Sequence, residues 1–467
     1  MLRRALFRQQ QQSAAQLLST RAFSTNREET DEVNVLPAVL EDVGVHMYDS
    51  PFLQELRKQK YTQLPPKKIR DEVARDLFEW ATERGCVNFA HWASPLRSGA
   101  NNLLKYDSFV ELDFGAKVAH KPIKTGFSGS RLFMNETDGS SFPNGGLRGT
   151  HRAAAYMAWD TQSNPFIRGD TLYIPSAFVS FSGEALDEKT PLLRSMRAVY
   201  LAGKRLLKHT KAATQHEIEA GVDCNVGWEQ EFFLIAAEDY ERRPDLEVAP
   251  AQHEFCPIFR VTNVAADHNV MSMEVMKEVC RRHGYIALTH EKPFKAINGS
   301  GKHLNWGLNA GSSGRNLMVP GDTPAQQESF MAFVACLTRA VNLHGDLIRA
   351  GVASPGNDHR LGAHEAPPAI MSLYIGDGMM AHVEKIIAGG KLEGYGKEHR
   401  LLEFGLGLDS VFPISAATED RNRTAPFPFC GNRFELRACG SNGNISLPLT
   451  FVQAAMADSM NYLADLI

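Results

Sequence analysis

Four short stretches hold side chains whose types and spacing could do chemistry. In "WEQEFFLI", Glu229 and Glu231 stand two residues apart, which puts both carboxylates on one face of a strand. Like charges so placed repel unless a cation or water lies between them. A lone pair of this kind is most often a solvated strand edge, but the apolar flank "FFLIAA" favours a metal. "EVAPAQHEFCPIF" adds Glu247 and Glu254 among apolar neighbours, where polar side chains need partners. "NRFELR" sets Arg433, Glu435 and Arg437 on one strand face, an arrangement that reads as a structural salt bridge as readily as catalysis. "KAINGSGKHLNWGLNA" contributes Lys302 and His303. A phosphate loop there would need glycine at 296 and a hydroxyl at 303; the chain has Ala296 and His303, so that reading fails. The five glutamates and His303 form a mainly hard oxygen set, suited to Mg²⁺ or Mn²⁺ rather than zinc. Arginines beside such ions bind phosphate bidentately and offset charge on a transferred phosphoryl group. Together the residues describe metal-dependent phosphoryl chemistry, with the substrate left open.

The elements that must position them are mixed. Residues 48–92 read as helical in two pieces, "FLQELRKQ" and "KIRDEVARDLFEWATERG", the second stopping at Gly85, because apolar residues recur three and four apart. "SFVELDF" and "SRLFMNE" read as short strands, and "ETDGSSFPNGGLRGTH" as a loop. "PLLRSMRAVYLAGKRLLKHT", "MSMEVMKEVCRRHGY" and "ESFMAFVACLTRAVNLHGDLIRA" are amphipathic helices, while "VGWEQEFFLIA" and "GNRFELRAC" are strands. Strands and helices mix without regular βαβ spacing, so the expected class is α+β. The 467 residues predict more than one domain. The formal charge of −4 offers no basic field for nucleic acid, and no run approaches the roughly 18 apolar residues of a membrane span. Seven scattered cysteines without a CxxC point to a reducing compartment and against a disulfide framework or structural zinc.

These motifs resemble the glutamine synthetase family, and its type III branch in particular. "NGSGKH" is similar to the family's glutamate-and-metal loop, "EQEFFL" to its first metal strand, and "EVAPAQHE" to its second pair of metal carboxylates. "RLGAHEAPPAI" and "NRTAPFPFCGNRFELR" resemble its substrate and arginine-rich segments, and "DGSSFPNGGLR" and "IPSAFVSFSGEALDEKTPLLRSM" the type III branch. The likeness runs from about residue 45 to the end. It implies a small β-grasp-like N-terminal domain, residues 28–185, and a catalytic α/β domain, 186–467, with a curved antiparallel sheet flanked by helices. It also implies ligation of ammonia to glutamate at the expense of ATP, through an acyl phosphate. By position, Glu231, Glu247 and Glu254 would hold one metal, and Glu229, His303 and Glu435 the other. Asn298, Gly299 and Arg360 would meet glutamate, while Arg433, Asn305 and Arg423 would meet ATP. Arg437 would sit on the phosphates, and Glu365 would close the ammonium pocket and take a proton. Asp138, in "TDGSS", resembles an aspartate given by a neighbouring subunit. The implied partners are glutamate, ammonium and ATP, and the implied assembly is a homo-oligomeric ring.

The chain departs from the pattern in places. Only 16 positions separate Glu231 from Glu247, where the family has a longer excursion, and "MNYLADLI" reads as mid-helix where type III enzymes continue. Gly307 stands in place of a serine, and His364 in place of an asparagine. These departures keep a second reading open: a non-catalytic or truncated paralogue that binds ligand or joins full-length subunits. A third reading keeps the chemistry with an amine as nucleophile. The first 27 residues carry five arginines and no acid, the signature of an organelle transit peptide. Mitochondrion is expected, with plastid, or cytoplasm without processing, as the alternatives.

Overall fold

The computed structural model describes residues 43–59, 63–94, 104–109, 111–113, 124–138, 154–241, 251–311, 314–391, 395, 401–402, 414–415 and 425–467. In chain order the first part holds β1 (Val45–Met47), α1 (Pro51–Lys58), α2 (Lys67–Glu83), β2 (Asn88–Ala93), β3 (Lys105–Ser108), the pair β4 (Glu111–Asp113) and β5 (Lys124–Gly126), α3 (Gly129–Phe133), β6 (Met134–Asp138), β7 (Ala154–Trp159), β8 (Phe166–Arg168) and β9 (Thr171–Ser180). The seven-stranded sheet is centred on β9, which pairs with β7, β8 and, in parallel, β2. Helix α1 starts where Ser50 Oγ accepts the Leu53 N–H and Pro51 takes the first position, a position that needs no donor. Helix α2 ends near Gly85, whose φ of +80° suits glycine.

Two expectations need correction. Residues 88–92 are not the tail of a helix but strand β2, buried at Phe89, Ala90, His91 and Trp92. "SRLF" is not strand but the helical turn α3, because Ser128 Oγ accepts the Arg131 N–H at 3.4 Å and so caps it. Gly129 lies so close to α2 that a Cβ there would sit 2.4 Å from the Arg70 carbonyl carbon.

The second part holds α4 (Lys189–Leu207), α5 (Gln215–Ala220), β10 (Val222–Ala236), α6 (Ala237–Glu241), β11 (Ala251–Phe255), β12 (Arg260–Val261), α7 (Thr262–Arg282), β13 (Tyr285–Leu288) and β14 (Lys302–Ala310). It continues with α8 (Pro324–Gly351), α9 (Pro355–Arg360), β15 (Leu373–Tyr374), α10 (Asp377–Ile387), β16 (Leu401–Leu402), β17 (Ile414–Ser415), β18 (Phe427–Pro428), β19 (Phe434–Leu436) and α11 (Ser446–Leu466). Its six-stranded sheet runs β11-β10-β14-β19, with β12 and β13 also on β10, and all its pairs are antiparallel. Alternation drives the layering: Val222, Cys224, Val226 and Trp228 on β10 and Leu304, Trp306 and Leu308 on β14 point into one core with α4, α8 and α11. The residues between them face the other way. The mixed α+β class expected from the sequence is what the chain adopts. No helix among the described residues is long and apolar enough to cross a membrane.

The two parts meet at α7, whose Val270, Met271 and Val275 pack on Val45, Trp92 and Phe166 of the first sheet. A buried charge cluster lies at the same seam. Lys189 Nζ is 2.8 Å from Asp160 and also contacts Asp267. Ser163 Oγ donates to Asp267 at 2.5 Å, and Asn263 Nδ2 to Asp160 at 2.7 Å. Burial opposes the charge on Asp160, yet Lys189 holds its carboxyl below the usual range. Lys189→Met should leave two buried carboxylates without a cation and cost about 3–5 kcal/mol, read from chemical unfolding. Asp187, which accepts the Thr190 N–H at 3.1 Å, is pushed by burial from 3.8 up to about 7. Its contribution to stability is therefore full below about 3.8 and is lost as pH climbs through about 7. Asp187→Asn should flatten that part of the decline, checked by comparing unfolding midpoints of the two proteins across the same window.

Candidate active site

Strand parity assembles the site. On β10, Glu229 and Glu231 lie on the face away from Trp228; on β14, His303 and Asn305 lie away from Leu304 and Trp306; on β19, Glu435 lies away from Phe434 and Leu436. Register then brings them together: Glu229 stands opposite His303, Asn305 opposite Glu435, and Glu231 opposite Glu254 on β11. His303 Nδ1 is 2.9 Å from Glu435 Oε1 and 3.3 Å from Glu229 Oε2. Burial alone would lower the His303 pKa, but hydrogen bonds to Glu229 and Glu435 carry it up to about 9. Glu435 is held well below the usual carboxylate range, because His303 and Arg437 outweigh its burial. Glu254 goes the other way, raised by burial and by the charges of Glu229 and Glu231.

This donor set fits a divalent cation. The ligand atoms of Glu229, His303 and Glu435 all lie within 4.8 Å of one another. Glu254 and Glu229 form a second such group with Cys256. Partial burial and the charges of Glu254 and Glu229 push that thiol up to about 12.

Beside the carboxylates opens a cleft lined by Glu231, Gln252, Asn298, Gly299, His303, Arg360, Glu365, Ala366, Pro367 and Arg437. Arg360 comes from the end of α9 and is 3% exposed. Its Nη1 donates to Asn357 Oδ1 at 3.1 Å and to the Cys439 carbonyl at 3.2 Å, and its Nη2 to the Arg437 carbonyl at 3.3 Å. All three acceptors are neutral, so an anion entering the cleft would meet the guanidinium's charge. Asn298 Nδ2 donates to Glu365 Oε2 at 2.9 Å across the opening.

The expected residues divide as follows. Glu231, Asn298, Gly299, His303, Arg360, Glu365 and Arg437 line the cleft together, with Glu229, Glu435 and Glu254 adjoining through the contacts above. Asn305 and Arg433 hydrogen bond to each other beside Glu229. Asp138 ends β6 in the first sheet, where its backbone pairs with Ala154. Glu247 and Arg423 lie outside the described residues.

The stretch "NGSGKH" leads into β14. Its glycines make room for protein atoms: a Cβ at Gly301 would sit 2.2 Å from Arg360 Nη2, and one at Gly299 2.3 Å from the Glu291 carbonyl oxygen. Lys302 points behind the sheet, fully buried, with Nζ 3.0 Å from Asn269 Oδ1. The lysine that invites comparison with a phosphate loop therefore faces away from the cleft. Position 296, where such a loop needs glycine, does take a left-handed backbone, with Ala296 at φ +62°. His364 is also left-handed, at φ +52°, in a region that asparagine, the residue expected there, tolerates well.

Sequence reasoning missed Gln252, whose Nε2 donates to the Gly299 carbonyl at 2.9 Å; its two-residue spacing from Glu254 could have found it. It also missed Glu291, a buried carboxylate that accepts the Asn442 N–H at 3.3 Å. No sequence signal marks that role. Gly301→Ala should displace the anchored guanidinium and cost about 1–3 kcal/mol. Gly307→Ala, whose Cβ would meet nothing within 4 Å, should stay within about 0.5 kcal/mol of the parent; thermal unfolding of the two variants checks the contrast.

Comparison with known proteins agrees with this geometry. A family profile described as "Glutamine synthetase type III N terminal" matches residues 47–195, and one described as "Glutamine synthetase, catalytic domain" matches 242–354. The chain is 38% identical to the "Type-3 glutamine synthetase" of Dictyostelium discoideum, over 92% of this chain and 64% of that one. It is 36% identical to a "Glutamine synthetase" of Bacteroides fragilis (strain YCH46), over 89% of this chain and 64% of that one. It thus spans just under two thirds of the length of these relatives. A solved chain described as "GmaS/ADP complex-Conformation 1" superposes with a TM-score of 0.50 at 14% identity, covering 82% of this chain and 81% of that one, a likeness of fold. With both family profiles matched in order and the carboxylate–histidine strands meeting in one cleft, the chain belongs to the glutamine synthetase family, in its type III branch.

Proposed function

We propose that the protein ligates ammonia to L-glutamate at the expense of ATP, through γ-glutamyl phosphate. One observation carries this reading: a single cleft gathers Glu231 and the candidate metal ligand His303 with a buried arginine, Asn298 and Glu365. Arg360 pairs with the carboxylate at the amino-acid end of glutamate, and Asn298 and Gly299 position that end. The γ-carboxylate oxygen attacks the terminal phosphorus of ATP, and the bond to the ADP oxygen breaks. Ammonia nitrogen then attacks the acyl carbon, inorganic phosphate leaves, and Glu365 takes the surplus proton. Arg433 and Arg437 offset charge on the phosphates.

Glu229, His303 and Glu435 would hold one Mg²⁺ or Mn²⁺, and Glu231, Glu254 and Glu247 a second. Such ions neutralise phosphate charge and fix the reacting oxygens. We further propose homo-oligomeric rings in which a neighbour supplies Asp138 to the ammonium pocket. Exposed Phe255, Ile258 and Phe259 next to Glu254 support an interface there. The basic, acid-free first 27 residues support mitochondrial import.

The test follows phosphate release from ATP, Mg²⁺ and glutamate, with and without ammonium, while the particle is sized on the same sample. Ammonium-dependent release from a large assembly is expected. Ligand binding without turnover would replace this reading with the non-catalytic one, and release driven by an organic amine instead of ammonium would change the nucleophile. Glu365→Ala should abolish glutamine formation and leave ATP binding intact, measured by calorimetry. Loss of ATP binding in that variant would contradict the assigned role.

A further inference from the structure

Glu291 follows β13 and is 2% exposed. Its backbone pins a loop at the base: the Ser300 N–H donates to the Glu291 carbonyl at 2.8 Å, and the excursion between them carries Asn298 and Gly299. Gly299 fits only because it has no side chain. A Cβ there would sit 2.3 Å from the Glu291 carbonyl oxygen and 3.1 Å from Arg360 Cγ. Gly299 is thus enclosed between the Glu291 backbone and the Arg360 stem.

The carboxyl group is keyed in the same way to two further segments. A Cβ at Gly440, just after β19, would sit 2.6 Å from its Oε1, and one at Gly356, in α9, 2.3 Å from its Oε2. Gly356 and Arg360 are four residues apart on α9, hence on one helical face. The carboxyl therefore lies against the turn from which Arg360 projects. Oε1 also accepts the Asn442 N–H at 3.3 Å. Thr289, two residues earlier, ties the same stretches together: its carbonyl accepts from Ser441 Oγ at 2.6 Å, and its Oγ1 donates to Asn442 Oδ1 at 2.8 Å. Three glycines from three separate segments thus leave a niche that Glu291 fills. Burial works against the charge on Arg360, and the charges of Glu231 and Glu291 offset part of that effect.

We propose that Glu291 is a positioning residue for the amino-acid end of the substrate, a buried wedge whose size fixes the distance between the Asn298–Gly299 loop and Arg360. This rests on the ligase reading above, in which those two groups bind that end of glutamate. The wedge acts by shape. Its charge is not what draws glutamate, because a carboxylate beside Arg360 repels an incoming carboxylate. What the side chain supplies is bulk of one set length, stopped by a glycine at each oxygen. Loop and guanidinium are thereby held at a constant separation before substrate arrives.

Equilibrium binding of L-glutamate to the full chain, measured by calorimetry beside binding of Mg²⁺–ATP, tests this. Glu291→Ala empties the niche and lets loop and helix settle inward. It should weaken glutamate binding about tenfold or more, the scale of a binding group misplaced by about 1 Å. Glu291→Gln keeps the shape and an oxygen for the Asn442 N–H, and should stay within about threefold of the parent. ATP binding should change less than about twofold in both variants, which a general loosening of the fold would not spare. If Glu291→Ala fails to fold, Gly440→Ala takes its place with the same pattern expected, because its methyl would press on Oε1. Unchanged glutamate binding in that variant would overturn the proposal, as would equal loss of both ligands. A Gln variant as weak as the Ala variant would also overturn it, by putting charge in the place of shape. A parent chain that binds no glutamate would overturn both the proposal and the ligase reading, whereas normal parent binding with any of the preceding results would overturn the proposal alone.

Discussion

Crowding of like charge at one end of the second sheet is the constraint on which the site depends. Glu229 and Glu231 leave one strand toward the same side, Glu254 faces them from β11, and Glu435 approaches from β19. Two unit charges about 4 Å apart at a partly screened position differ by about 4 kcal/mol from separated ones. Such a group persists only with positive charge among it. In the free chain His303 and Arg437 supply that charge, and Glu254 shows the strain as a carboxyl raised by burial and its neighbours.

Much of this was legible because a strand has a period of two. The spacing of Glu229 and Glu231, and of Arg433, Glu435 and Arg437, already placed each set on one face, and Glu229 and Glu435 meet at His303. The same rule, extended to Lys302, puts that side chain behind the sheet, where it is buried against Asn269. Contacts between distant segments were not legible. Nothing local announces that Arg360 packs where a Gly301 side chain would be, or that Glu291 lies against Gly299, Gly356 and Gly440. The helical turn at Gly129–Phe133 was missed because a serine cap and a close approach to α2 outweighed strand-like composition.

The glycines of "NGSGKH" change meaning accordingly. A glycine-rich loop beside a ligand is usually read as backbone brought near that ligand. Here Gly301 leaves a niche for an arginine, and its N–H donates to Glu231 Oε2 at 2.5 Å. One residue thus touches the anionic wall through its amide and the cationic wall through its missing side chain.

The buried cluster around Lys189 bears on how such a molecule could be recombined. Asp160 and Ser163 belong to the first sheet's segment, Lys189 opens α4, and Asp267 and Asn263 lie on α7. The charges that neutralise one another are thus encoded in three separated stretches of the gene. A chimera that took its first sheet from one relative and its catalytic sheet from another would inherit half of an ionic lock. Exchange at this seam is therefore tolerated only between parents that carry the same charge pattern, and the two halves of the chain are constrained to evolve as one piece.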